Sequence, residues 1–125
     1  TYGGDMRGDP AQGYDVDDTT SISQCLAGFS SKPEFADITA VKNNNVYIMA
    51  GDFRNNAMGG TLGAVYVSKI LHPDLFTDLD PEAIHQEYIT RFLRLDYSLE
   101  EDGVFLYPAI NNGGDLIGTP NNSGE

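Results

Sequence analysis

The 125-residue chain has no tryptophan, a single cysteine, and only seven lysines and arginines against nineteen aspartates and glutamates. Each scarcity excludes something. One thiol, Cys25, cannot close a disulfide within the chain, and it cannot supply the paired cysteines of a structural zinc site or a metal cluster. A formal net charge of −12 leaves too little Lys and Arg to replace counterions on a phosphate backbone. That excludes nucleic acid as a partner and argues equally against an anionic membrane surface. The longest apolar runs fall far short of the roughly twenty residues that cross a bilayer. No signal-peptide pattern opens the sequence, and it begins with Thr1 rather than Met, which fits a processed or excised piece.

What is present points to a folded domain. Hydrophobic residues make up 40% of the chain, enough for one core in one domain. The acids are densest from Asp74 to Asp102, opposed there by Arg91 and Arg94. Two readings of this acidity stay open: a solvated face that keeps the protein in solution, or a surface that docks on a basic partner.

The periodicity gives a coarse order of elements. Residues 1 to 18 are rich in Gly and Asp and read as a loop. Ser21, with Gln24 three residues on, forms a capping box for a first helix whose apolar face is Ile22, Cys25, Leu26 and Phe29. Cys25 is thus expected as a buried structural thiol. Pro33 ends the helix. Val46 to Met49 read as a buried strand after the turn Lys42 to Asn45. A Gly- and Asn-rich loop, Gly51 to Gly60, leads into a helix with Leu62, Tyr66 and Ile70 on one stripe, ending before Pro73. Asp80 caps a last helix with Pro81 in its first position, and Ile84, Tyr88 and Phe92 are its expected buried stripe. Val104 to Tyr107 reads as a closing strand. The division is 1–108 as the folded part and 109–125 as a flexible Gly/Asn-rich tail.

No catalytic pattern stands out. There is no phosphate loop, no paired histidines on a helix for zinc, and no nucleophile with a base. Asp15, Asp17 and Asp18 suggest calcium, but no glycine stands at the sixth loop position and Leu26 occupies the twelfth, so helix capping is the reading. His72 and His85, thirteen residues apart, match no zinc spacing and are expected in capping or surface roles. Asn121-Asn122-Ser123 is a glycosylation sequon, compatible with the outside of a cell.

Four stretches carry a resemblance. These are Ala40 to Ile48 (AVKNNNVYI), the loop Gly51 to Gly60 running into a helix, Ser68 to Phe76 (SKILHPDLF), and Asp80 to Tyr88 (DPEAIHQEY) followed by Gly103 to Pro108. In this order the segment from Pro33 to Pro108 resembles the end of the extracytoplasmic substrate-binding proteins of ABC importers for ferric siderophores, haem and cobalamin. The resemblance implies an α/β fold, with a short, mainly parallel sheet flanked by helices, as the partial C-terminal lobe of a two-lobed binding protein. It implies capture and delivery to a membrane permease rather than catalysis, with no cofactor beyond a bound iron chelate, haem or cobalamin, in an extracytoplasmic, membrane-associated setting. It places the ligand wall in the strand-to-helix loop: Arg54, whose guanidinium suits siderophore or propionate carboxylates, with Phe53, Asn55, Asn56 and Met58 beside it. Pairing of Arg54 with Asp52 on the surface is the other reading. Tyr2 and Asp5 in the opening loop are further contributors. A sheet edge left open by truncation implies a possible homodimer. A free-standing acidic interaction module that shares the fold is the alternative function.

Overall fold

The computed structural model describes residues 12–55 and 58–121, with the side chains of residues 54 and 55 outside that description. Its elements are short because turn-forming residues interrupt every apolar stretch. Helix α1 spans Thr20–Ser30, and its start is held by Asp18, whose Oδ1 accepts the Thr20 N–H at 2.7 Å. Asp18 therefore takes the capping part expected of Ser21, and its carboxyl is held below the ordinary value by that backbone hydrogen bond. A 3₁₀ turn, Pro33–Phe35, folds back so that Phe35 stacks on Phe29, ring centroids 4.5 Å apart. One helical turn follows, α2 (Thr39–Lys42), and Asn44 leaves it with φ 55, the left-handed conformation that asparagine tolerates.

Strand β1 is only Ile48–Met49. The chain then makes α3 (Asp52–Asn55) and α4 (Gly59–Leu71). Helix α5 spans Pro81–Tyr88 and runs on into a π turn, Ile89–Leu93. Asp80 caps α5 as the sequence indicates: its side chain accepts the N–H groups of Glu82 and Ala83, both at 3.0 Å. Strand β2 is Leu106–Tyr107, and β3 (Ile110–Asn112) and β4 (Asp115–Ile117) follow.

Among the described residues, the expected mainly parallel sheet of a partial two-lobed binding-protein lobe does not form. Both ladders are two-stranded and antiparallel: β1 pairs with β2 through Ile48↔Tyr107 and Met49↔Leu106, and β3 pairs with β4. The reason lies in the supply of strands. The stretch at 46–49 and the stretch at 104–107 are the two apolar strand-like runs around the core, and the second returns against the first in the opposite direction. A parallel pair would need a further strand beyond a crossover. Downstream, where the sequence reads as a tail, Gly113 and Gly114 take positive φ and turn β3 into β4. Ile117, Thr119 and Pro120 beyond that turn are buried.

Two apolar clusters hold the molecule. In the smaller, α1 packs on the β1–β2 ladder through Ile22, Ile48 and Val104, with half-buried Cys25 and Leu26 against them. The larger gathers Phe53, Leu62, Tyr66, Ile89, Leu99, Phe105, Leu106 and Ile117 between α3, α4, α5 and the hairpin. Helix α5 enters this cluster by a face the sequence reading did not choose. Pro81, His85 and Ile89 point inward, whereas Ile84 and Phe92 are 38% and 67% exposed. The cause is chemical: beneath α5 stand the hydroxyls of Tyr14 and Tyr66, which need a polar partner once buried, and His85 supplies it. Lys69 is likewise buried on α4, and its ammonium donates to the carbonyls of Phe76 (2.9 Å) and Thr77 (3.1 Å), closing the turn after the helix.

Gly103 has φ 88, and a Cβ there would collide with the Phe105 ring and the Tyr97 hydroxyl, whereas Gly113, φ 71, faces open space. Gly113→Ala should therefore cost about 1 kcal/mol, the left-handed penalty alone. Gly103→Ala should cost clearly more, about 3 kcal/mol, because strain and steric overlap add. Urea denaturation of the two variants checks the order.

Candidate functional site

Of the residues that the sequence marks as a ligand wall in the loop Gly51 to Gly60, the side chains described are those of Phe53 and Met58. Phe53 is only 7% exposed and lies in the aromatic core, its ring 5.0 Å from Tyr66 and 5.4 Å from His85. A Cβ on Gly63 would sit 3.2 Å from the Phe53 Cβ, so glycine at 63 is what lets α4 approach α3 so closely. Arg54 and Asn55 have their backbone in α3. Met58 is 38% exposed at the start of α4. Asn56, Tyr2 and Asp5 lie outside the described residues.

What the structure does bring together is a polar centre inside the aromatic core. The His85 ring is 1% exposed, with Nε2 3.3 Å from the Tyr14 hydroxyl and Nδ1 3.2 Å from the Tyr66 hydroxyl. A neutral imidazole has one N–H and one lone pair, so one tyrosine donates to the ring and the other accepts from it. Phe105 meets the same ring edge-on at 4.6 Å. Burial pushes His85 from its ordinary 6.5 down to about 4, which keeps it uncharged. Burial first, and the Asp52 carboxylate second, push Tyr14 up to about 12. Tyr66 is raised by burial and then by Glu82. Tyr97 is raised too, burial leading, and its hydroxyl donates to the Tyr14 carbonyl at 2.9 Å.

One turn before His85, Glu82 opens onto a groove of about 390 Å³ between the start of α5, the segment 97–100 and the β3–β4 hairpin. Asp80, Glu82, Glu100 and Asp115 line it, together with Gln86 and Ser98. Gln86 fixes the far wall: its Nε2 donates to the Tyr97 carbonyl at 2.8 Å and its Oε1 accepts the Leu99 N–H at 2.9 Å. Glu82 is half-buried, and burial is the main reason its carboxyl rises from the ordinary 4.5 to about 7. The Gly118 N–H, 3.2 Å from Oε2, works against that rise, while Asp80, Glu100 and Asp115 add to it by repulsion. The groove is therefore rich in acceptors and suits an ammonium or guanidinium group. No group of three or more His, Cys, Asp or Glu among the described residues is placed to hold a metal ion.

Neither Glu82 nor His85 was singled out as a site residue by the sequence, where His85 reads as a capping or surface side chain. The available signal was the second stripe, Pro81, His85 and Ile89, four residues apart and equally compatible with a buried face. No protein-family model, no curated protein and no solved structure matches the chain.

Glu82 and His85 have opposite linkage to folding. His85 has a folded pKa below its unfolded one, so its contribution is complete above about 6.5 and is lost as pH falls towards 4. Glu82 has a folded pKa above its unfolded one, so its contribution is complete below about 4.5 and is lost as pH rises towards 7. Between these limits the two slopes oppose. Stability of the wild-type chain should vary little across this window on account of this pair. Glu82→Gln should make stability rise with pH there, and thermal melts across the window read it directly.

Proposed function

We propose that the chain belongs to a non-catalytic, extracytoplasmic capture component of an importer for iron chelates, haem or cobalamin, which delivers its ligand to a membrane permease. The observation that carries this reading is the order and compatible spacing of the four stretches, Ala40–Ile48, Gly51–Gly60, Ser68–Phe76, and Asp80–Tyr88 followed by Gly103–Pro108, in the manner of the family they resemble. The structure assigns physical work to several of their residues. Lys69 closes the turn after α4, Asp80 caps α5, and Gly103 admits the Phe105 ring. Residues with such duties constrain the backbone after the loop between β1 and α4, and Phe53 within it is held in the core. Arg54 remains its cation for a chelate carboxylate. No helix among the described residues is long and apolar enough to cross a membrane.

A second reading, an acidic interaction module, is favoured by the groove around Glu82, which faces cations rather than an anionic chelate.

Titration with ferric siderophores, haemin and cyanocobalamin, followed by tyrosine fluorescence, separates the two. Capture predicts micromolar or tighter binding of one chelate, weakened about tenfold by Arg54→Ala, the scale of one charge-assisted hydrogen bond. Absence of binding to all three, with binding of a lysine-rich peptide that Glu82→Gln weakens, selects the interaction module.

A further inference from the structure

Helix α5 and its π turn carry two apolar stripes, and the molecule buries one. Pro81, His85 and Ile89 are in the core, while Ile84, Phe92, Leu93 and Leu95 are 38%, 67%, 39% and 50% exposed. Tyr88 bridges them: it packs partly against the core and stacks on Phe92, centroids 6.0 Å apart. Ile84, Tyr88 and Phe92 stand four residues apart, the spacing of a face made to be covered.

We propose that this face, built by Ile84, Tyr88, Phe92, Leu93 and Leu95, is the docking surface for a second copy of the chain. Its size fits. From the fractional exposures these side chains present on the order of 400 Å² of apolar area. A standard interface covers about 800 Å² on each partner, slightly more than half of it apolar. Its charge fits as well. Across residues 84–97 the charged side chains are Glu87, Arg91, Arg94 and Asp96, two of each sign, in a protein of net charge −12. Glu87 and Arg91 already pair on this surface, one turn apart. A two-fold contact sets the same patch against itself. Here each copy therefore offers both signs, whereas most other approaches would set acid against acid. The β1–β2 edge is a poorer route, because it has only two residue pairs to extend.

Sedimentation equilibrium over micromolar to submillimolar protein tests this. The expected result is a monomer–dimer equilibrium that strengthens as salt is raised, since salt screens the repulsion between two acidic bodies and leaves the apolar contact intact. Phe92→Glu and Leu95→Glu should each weaken association at least about tenfold, as loss of a central apolar anchor does, with unchanged circular dichroism. Leu75→Glu, a 77% exposed residue in the turn before the other end of α5, should leave association unchanged. A chain that stays monomeric over the whole range overturns the proposal. So does a dimer indifferent to Phe92→Glu and Leu95→Glu, or one weakened equally by Leu75→Glu.

Discussion

The fold turns on one side chain that the core has to keep neutral. His85 is sealed between the hydroxyls of Tyr14 and Tyr66 and ringed by Phe53 and Phe105. It ties the loop before α1, helix α4 and helix α5 to one point. A charged imidazole there would lack a counterion, and a hydrocarbon would orphan two hydroxyls, so only the neutral ring satisfies the site. The rotation of α5 about its axis follows from this requirement. Which of its stripes faces solvent follows from that rotation.

Legibility in the sequence divides along the same line. Local rules carried α1, the end of α4 before Pro73 and the Asp80 cap, because those features are decided within one turn of helix. Tertiary demands were not legible. Periodicity ranked Ile84, Tyr88 and Phe92 above a stripe containing proline and histidine, since it weighs apolarity and cannot see the tyrosines that histidine must meet. The sheet failed for a related reason: a run of apolar residues indicates a strand but carries no direction, and only the return of 104–107 onto 48–49 fixed it as antiparallel. Glycines 113 and 114, read as markers of a tail, are the turn of a hairpin.

The proposed capture role and the acidic groove make different use of the same scaffold. The core fixes α3 through Phe53 and therefore fixes where the loop into α4 begins. At the groove, Gln86 and the Gly118 N–H hold the walls by hydrogen bonds, and the carboxylates of Asp80, Glu82, Glu100 and Asp115 line it. A ligand in the groove meets walls already held by hydrogen bonds, which keeps the ordering cost of binding there low.

The buried Lys69 has a practical consequence. The sequence has three lysines, and with Lys69 committed to two carbonyls, the exposed ε-amines are Lys32 and Lys42, both on the segment joining α1 to β1. Amine-directed coupling away from the amino terminus will therefore fall on that segment and spare α4, α5 and the hairpin, which carry no exposed ε-amine.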